Sequence, residues 1–414
     1  MGGSARAGEG ARSRWGVLGL LALAELLGMT LWFSATAVAS QLVEAWGLGP
    51  AGAAWLTMAV QLGFVTGAAG SALLNLADIW PARRLFVATS LAAAVVNAAV
   101  VWAPTPGAGL LFRFLTGVLL AGVYPPAMKM AATWFRAERG LAIGALVGAL
   151  TIGSAVPHLT RALGSWDWPV VVLASSGFAI AGAALVAAGY RDGPYAFPAA
   201  PFSWSLVAEV LRERKVRLAN LGYLGHMWEL YACWALIALF FHDYFLAAGA
   251  SASASRTLAG TVAFSAIAIG GLGSVLAGAW ADRLGRERVT IVSLAVSGGC
   301  ALAIGWLTFL PAWALVSIAL VWGFAIVADS AQYSALMTEV APSHAVGTAL
   351  TLQTSMGFLL TVFTIWLGAR VSAWLGWGPA FSLLALGPAF GIGAMARLQR
   401  VRYQERGAEV VARA

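Results

Sequence analysis

Ionisable side chains stand inside four apolar stretches of this chain. Glu25, Arg113, Glu229 and Asp329 are each flanked by long hydrophobic runs, and His226 lies three residues before Glu229. A charged group at the centre of a bilayer costs about 2.5–3.5 kcal/mol on insertion scales, so it needs a partner or a water-filled cavity. A buried carboxylate can exchange a proton when its surroundings change, and an arginine offers a fixed positive charge. These residues predict proton coupling and the binding of a charged solute.

Two interpretations of Glu25 and Arg113 are open. If the two lie side by side, Glu25 would take up or release a proton whenever substrate or conformation changes their contact. Alternatively, they form a static buried ion pair that holds two helices together. We favour the transport role because ionisable residues within a membrane are functional by default.

His226 and Glu229 share one face of a helix because they are three residues apart. They would form a proton relay, a substrate contact or half of a metal site. A single His-x-x-Glu pair is a weak metal signature, so we expect no metal, and we expect no other cofactor. Asp329, with Gln332 three residues further on, is as well suited to contact substrate as to take up protons.

Other polar and aromatic side chains in the apolar stretches are candidates for lining a cavity. These are Trp32, Gln61, Tyr124, Trp228, Gln332 and Gln353. His158 follows Pro157 near the end of another stretch, where we expect a residue of the cavity mouth or a structural residue. Most of the other tryptophans would anchor helices at the membrane interfaces.

Membrane-spanning helices must position these residues. Of the 414 residues, 60% are hydrophobic and 10% are charged, whereas soluble globular proteins carry about 25% charged residues. Twelve apolar runs have the length, about 20 residues, that crosses a bilayer as a helix. We number them spans 1 to 12; they cover residues 15–40, 53–76, 85–104, 108–134, 140–163, 169–190, 217–247, 259–280, 289–310, 312–338, 347–371 and 379–398. The predicted fold class is an all-α membrane protein with twelve transmembrane helices.

The positive charges predict the orientation of these spans. Of the 25 lysines and arginines, 21 fall on one side of the predicted membrane, three fall on the other, and Arg113 lies within span 4. The positive-inside rule then places both termini in the cytoplasm. This placement accounts for the net charge of +8 without a nucleic-acid partner. We expect an integral protein of a bacterial cytoplasmic (inner) membrane that functions as a monomer, with the lipid bilayer, a small-molecule substrate and protons as partners.

The longest loop divides the chain near its middle. It contains a basic amphipathic piece that we expect to lie along the cytoplasmic membrane surface. The predicted order is a disordered cytoplasmic N-terminus, a six-helix bundle, this linker, a second six-helix bundle and a cytoplasmic tail. These parts cover residues 1–14, 15–190, 191–216, 217–398 and 399–414.

A charged turn between spans 8 and 9 is the most distinctive motif. It contains Gly278, Asp282, Arg283, Gly285, Arg286 and Arg288. A degraded copy lies 204 residues earlier, between spans 2 and 3, and keeps Asp78 and Arg84. A repeat at the same place in each half predicts two pseudo-symmetric six-helix bundles.

The charged turn closely resembles the loop signature of the major facilitator superfamily, Gly-x-x-x-Asp-Arg-x-Gly-Arg-(Arg/Lys). Arg113, Thr116 and Gly117 resemble a second signature of that superfamily, Arg-x-x-(Gln/Thr)-Gly in the fourth helix. The resemblance implies that spans 1, 4, 7 and 10 line a central cavity, and these are the spans that carry the buried ionisable residues. It also implies gating by the charged turn, with the degraded copy acting more weakly.

Span 5 resembles the antiporter motif of that superfamily only in part. It contains Gly144, Gly153 and Pro157, but the proline comes one position early and the glycine pair that follows it in the family is missing. This departure weakens the case for an exporter.

The leading hypothesis is a secondary active transporter, coupled to protons, that moves a small polar or anionic solute by alternating access with Arg113 as counter-charge. The alternative is a drug or metabolite exporter for amphipathic or cationic compounds, since acids outnumber Arg113 within the spans. A membrane-embedded enzyme or a receptor ranks lower, and we expect no enzyme because no catalytic constellation is recognisable. The only two lysines, Lys129 and Lys215, lie outside any glycine-rich phosphate loop, which excludes an ATP-driven pump.

Overall fold

A computed structural model describes residues 3–74, 76, 80–135, 139–164, 166–195 and 203–413. The regular structure of these residues is helical. In the first half, the α-helices are α1 (Gly3–Met29), α2 (Ala39–Trp46), α3 (Pro50–Leu73), α4 (Ala82–Ala99), α5 (Pro106–Leu120), α6 (Tyr124–Ala132), α7 (Arg139–Ala162) and α8 (Trp168–Gly189). They are followed by α9 (Trp204–Arg212), α10 (Arg214–Ala247), α11 (Ala252–Leu284), α12 (Arg286–Ile304), α13 (Ala312–Ala328), α14 (Ser330–Val340), α15 (Val346–Leu375), α16 (Trp377–Leu384) and α17 (Leu386–Arg413).

The helices follow the predicted order of spans. Within the described residues, eleven segments are long and apolar enough to cross a membrane, and they correspond to spans 2 to 12. Span 1 begins in α1, which packs against α7 and α8 of spans 5 and 6. Residues 1–14 were expected to be disordered, but α1 begins at Gly3. Alanine and arginine are strong helix formers, so the helix of span 1 extends backwards into this segment.

Three of the four spans that carry ionisable residues are interrupted. In span 1, α1 ends at Met29, and turns lead from there to a 3-10 helix at Thr36–Val38. In span 4, α5 ends at Leu120 and α6 begins at Tyr124. In span 10, Asp329 alone separates α13 from α14. Span 7, in contrast, is the continuous helix α10.

The break in span 4 follows from two prolines. Pro125 and Pro126 occupy the start of α6, and a proline has no backbone N–H to donate to the preceding turn. Each break leaves backbone groups without helical partners, and inside a membrane such groups must be satisfied by other protein groups or by water in a cavity. The breaks are therefore where polar chemistry is concentrated in this protein.

The two halves of the chain meet along spans 5 and 8 and along spans 2 and 11. In the first contact, a Cβ atom added at Gly148 would lie 3.0 Å from the carbonyl oxygen of Gly271, and one added at Gly271 would lie 2.9 Å from that of Gly148. Small residues allow this close backbone approach. The glycines of the incomplete antiporter motif also serve packing, since Gly144 faces Ser274 of span 8 and Gly153 faces Leu26 of span 1.

Candidate functional site

Arg113 lies fully buried in α5 and points at the break in span 1. Its guanidinium donates hydrogen bonds to the carbonyl oxygens of Leu31, at 2.9 Å, and Trp32, at 2.5 Å. These carbonyls lie beyond the end of α1 at Met29, where the regular helical hydrogen bonds have stopped. The arginine therefore completes, from a neighbouring span, the hydrogen bonding of an interrupted helix.

Two polar side chains complete the surroundings of this guanidinium. Arg113 Nη1 donates to Ser34 Oγ at 3.0 Å and to Asn97 Oδ1 at 2.8 Å. The amide nitrogen of Asn97 donates in turn to the carbonyl of Val172, at 3.1 Å, and to Ser176 Oγ, at 3.0 Å. One network thus joins spans 1, 3, 4 and 6. Sequence analysis missed Asn97, because a single asparagine in an apolar helix has no spacing signal.

The expected pairing of Glu25 with Arg113 is wrong. Glu25 is fully buried in α1, and neither of its carboxylate oxygens has a hydrogen-bond partner among the described residues. It precedes Leu31 by six residues, and a helical rise of about 1.5 Å per residue places it about 9 Å from the break that Arg113 fills. Tyr124, which was expected to line a cavity, lies half-buried within electrostatic range of Glu25.

The break in span 10 holds a second polar site. His226 Nδ1 lies 2.9 Å from Asp329 Oδ1, and His226 Nε2 lies 3.1 Å from Ser330 Oγ. Both members of the His226–Asp329 pair are buried. The rings of Tyr223 and Tyr333 flank the imidazole, with centroids at 6.0 Å and 5.4 Å. Imidazole and carboxyl groups can both exchange protons, whereas an arginine in a protein stays charged.

Glu229 lies on the same helix as His226 but has different partners. Ser297 of span 9 donates to Glu229 Oε2 at 2.9 Å, and the indole N–H of Trp322 in span 10 donates to Oε1 at 2.7 Å. His226 and Glu229 thus have separate hydrogen-bond partners, and their joint role as a proton relay or half of a metal site stays a prediction. Among the described residues, no group of three or more His, Cys, Asp or Glu side chains is placed to hold a metal ion.

Aromatic rings from both halves of the chain pack together between spans 1, 2, 7 and 11. The central aromatic cluster consists of Trp32, Phe33, Phe64, Tyr231, Trp234 and Phe358. The centroid of Trp32 lies 4.9 Å from that of Phe64, 5.7 Å from that of Tyr231 and 5.5 Å from that of Phe358. Sequence analysis identified only Trp32 of this set, because aromatic residues in apolar spans look the same whether they face lipid, core or cavity.

Several buried polar groups around this cluster lack partners in the described structure. They are the indole N–H groups of Trp32 and Trp234, both ends of the Gln61 amide, and both ring nitrogens of His158. Gln61 lies one turn before Phe64 in α3, and the ring of His158 lies 6.4 Å from that of Phe33. Buried polar groups are normally hydrogen-bonded, so these groups mark the cluster as a place where a polar ligand can be bound.

The remaining predicted cavity residues lie elsewhere. The indole N–H of Trp228 donates to the carbonyl of Leu383 at 3.0 Å, which holds that residue within the second half of the chain. Gln332, which was expected to line a cavity beside Asp329, instead accepts a hydrogen bond from Arg286 of the charged turn at 2.8 Å. Gln353 is buried, and its amide nitrogen has no partner among the described groups.

The charged turn between spans 8 and 9 forms a network of ion pairs. Gly285 has a φ of +91°, which ends α11 at a conformation that favours glycine. Arg286 contacts Glu339 at 2.6 Å and Asp282 at 3.6 Å. Arg402 of α17 also contacts Glu339, at 2.8 Å. The network therefore ties α14 of span 10 to the charged turn and to the last helix.

The other residues of the signature have simpler environments. Arg283 and Arg288 are exposed, and Gly278 is buried in α11. In the degraded copy, Arg84 is exposed, and Asp78 lies outside the described residues.

Comparison with known proteins decides the family. The family model described as Major Facilitator Superfamily matches residues 21–365. The chain belongs to the Major Facilitator Superfamily. A solved structure of the proton:xylose symporter XylE bound to 6-bromo-6-deoxy-D-glucose is similar, with a TM-score of 0.70 and 13% sequence identity over 94% of this chain and 96% of that one. At that identity, the likeness shows the fold alone.

A curated relative, the niacin transporter NiaP of Acinetobacter baylyi, is 30% identical over 132 residues. The match covers 29% of this chain and 29% of that relative, so the chain matches less than a third of the relative's length.

Membership of the Major Facilitator Superfamily confirms the predicted fold class. The protein is an all-α membrane protein with twelve transmembrane helices in two pseudo-symmetric six-helix bundles. Eleven of the twelve helices are found as candidate spans among the described residues, and the first transmembrane helix lies in α1. Family and fold are those of a transporter and not of an enzyme.

Proposed function

We propose that this transporter moves a small polar or anionic solute by alternating access and couples that movement to protons. The observation that carries the proposal is the His226–Asp329 pair, buried at the break in span 10 with a separation of 2.9 Å. This pair lies where span 10 is interrupted between α13 and α14, so a change in its charge can move one part of the span relative to the other.

The solute site of this proposal is the central aromatic cluster. Its rings come from spans 1 and 2 in the first half and from spans 7 and 11 in the second half. In a transporter whose halves rock against each other, a solute bound between the halves faces each side of the membrane in turn. Arg113 is not the counter-charge in this account, since backbone carbonyls, Ser34 and Asn97 occupy its guanidinium.

The short helix α14 links the proton site to the cytoplasmic charged turn. At its start, Asp329 and Ser330 contact His226. Further along, Gln332 and Glu339 accept hydrogen bonds from Arg286. A proton that breaks the His226–Asp329 contact would shift α14 and thereby the ion pairs that close the cytoplasmic side. Proton binding and gating would then be coupled through one rigid element.

Glu25 is a second proton site in this proposal. Its buried carboxyl group has no hydrogen-bond partner among the described residues, and such a group favours its neutral form. One similar protein is a niacin transporter, which agrees with a small solute. We further propose that the protein works as a monomer in a bacterial cytoplasmic membrane, with both termini in the cytoplasm and α9 lying along the membrane surface.

The test is a transport assay with purified protein in liposomes. With an inward proton gradient imposed, internal pH is followed while lactate, nicotinate, xylose, phosphate or a cationic dye is added. We expect at least one small polar or anionic solute to move protons, and a protonophore to abolish the movement. Proton movement with the cationic dye alone would support the exporter instead. If no solute moves protons while the liposomes maintain their proton gradient, the proposal is contradicted.

A further inference from the structure

We infer that the solute is a planar aromatic or heteroaromatic ring that carries a carboxylate or carboxamide group, and that it binds within the central aromatic cluster. This inference rests on the proposed function and makes its substrate class specific. Three observations lead to it: the ring packing, the chemistry of the groups that lack partners, and the position of the charged residues.

The ring packing favours a planar aromatic ligand. Tyr231 of the second half lies between Trp32 and Phe33 of the first half and Phe358 of span 11, with centroid distances of 5.7 Å, 6.3 Å and 5.1 Å. When the halves separate, these contacts are lost, and an inserted aromatic ring restores them with the same offset or tilted geometry. An aliphatic acid has no π face, so it would leave the rings without equivalent contacts.

The unpartnered groups favour a ligand that bears hydrogen-bond acceptors. The indole nitrogens of Trp32 and Trp234 are donors only, and neither has a partner in the described structure although both residues are 1% exposed. The Gln61 amide adds a further donor, one turn from Phe64. His158, against Phe33, has two ring nitrogens without partners and offers one more N–H donor. A carboxylate or carboxamide supplies acceptors for these donors.

The placement of the charged residues disfavours an inorganic anion as the ligand. Arg113 makes five hydrogen bonds to protein groups, so it does not present a free cation to an inorganic anion. Glu229 is bonded to Ser297 and Trp322, and Asp329 lies beside His226.

The test is equilibrium binding by isothermal titration to the full-length protein in detergent, followed by counterflow in liposomes. The probes are nicotinate and benzoate as aromatic acids, nicotinamide as the carboxamide, and lactate and xylose as non-aromatic solutes. We expect the aromatic probes to bind at least tenfold more tightly than lactate or xylose, and to be the probes that exchange.

A matched pair of substitutions locates the binding site. Trp234→Phe keeps the ring but removes the buried N–H donor, and we expect at least fivefold weaker binding of nicotinate. Trp102→Phe makes the same change at a residue that is 70% exposed, and we expect no change in affinity. Thermal melting of both variants shows that each is folded, so a loss of affinity in Trp234→Phe reports on the site.

Each other outcome contradicts a defined part of the account. If lactate or xylose exchanges and the aromatic probes do not, the substrate class is wrong while the proposed function stands. If nicotinate binds equally well to Trp234→Phe, the placement of its acceptor group at this indole is wrong. If no probe binds or exchanges, both the substrate class and the proposed function are contradicted.

Discussion

Span 1 and span 10 are both interrupted beside a buried charged residue, but the two residues have different kinds of partner. The break in span 1 is stabilised by Arg113 of span 4. Its guanidinium makes five hydrogen bonds, to Leu31, Trp32 and Ser34 of span 1, to Leu56 of span 2 and to Asn97 of span 3. The break in span 10 contains its own charged residue, Asp329, and the partner is a histidine. A permanent charge held by several hydrogen bonds stabilises a structure, whereas a pair of side chains that can exchange protons can change state.

The largest effect is expected for removal of the arginine. Arg113→Ala removes this donor from three backbone carbonyls, Ser34 and Asn97 inside the membrane. Breaking a buried charged network costs about 3–5 kcal/mol. We expect the variant to lose most of its folded, monodisperse fraction in size-exclusion chromatography and to melt at a much lower temperature. Arg84→Ala, at an exposed position, is the control and should behave as the wild type. Normal stability combined with lost transport would restore Arg113 as a counter-charge for substrate.

The second effect is a loss of coupling. Asp329→Asn keeps the size of the side chain but removes its ability to gain and lose a proton. We expect proton-driven uptake to fall at least tenfold while solute counterflow, which needs no net proton movement, stays within about twofold of the wild type. Asp167→Asn, at an exposed residue, serves as the control. Equal losses of uptake and counterflow would mean that Asp329 contacts substrate.

A smaller effect is expected at the charged turn. Arg286→Gln removes the contacts with Glu339 and Asp282, which are partly exposed, so the loss is about 1 kcal/mol. This corresponds to roughly fivefold faster amide exchange in α14, measured by hydrogen–deuterium exchange and mass spectrometry. Arg283→Gln changes an exposed residue of the same turn and should leave exchange in α14 unchanged. Equal exchange in both variants would show that Arg286 does not hold α14.

The smallest effect on stability is expected for Glu25. Because neither carboxylate oxygen has a partner, Glu25→Gln removes a buried ionisable group without breaking a hydrogen bond. We expect a melting temperature equal to or above that of the wild type. Loss of one partner of a buried ion pair costs about 3–5 kcal/mol. A destabilisation of that size would indicate that Glu25 and Arg113 form an ion pair after all.

Much of the fold was predictable from the sequence, because apolar length and charge placement are local properties. The apolar runs match the helices of spans 2 to 12, and the charged turn lies between spans 8 and 9 as expected. The breaks in spans 1 and 10 were not predicted. They contain no proline, and in span 1 the interrupted backbone is satisfied by Arg113 of another helix.

The partners of the buried charges were the least predictable part of the site. Helical spacing placed His226 and Glu229 on one face, but spans 9 and 10 supply Glu229 with Ser297 and Trp322 instead. Gln332 stands near Asp329 in the chain, yet its oxygen accepts from Arg286. Contacts between distant helices decide each of these cases, and a single sequence carries no record of which helices touch.

The most direct test of this contrast measures the number of protons that move with each solute molecule in liposomes, using whichever probe exchanges. The wild type, Arg113→Lys and Asp329→Asn are compared at equal amounts of folded protein. The account predicts that Arg113→Lys keeps the wild-type proton-to-solute ratio, even if less protein is folded, and that the ratio falls to zero in Asp329→Asn. A changed ratio in Arg113→Lys, together with an unchanged one in Asp329→Asn, would place proton coupling at span 4 and contradict the account.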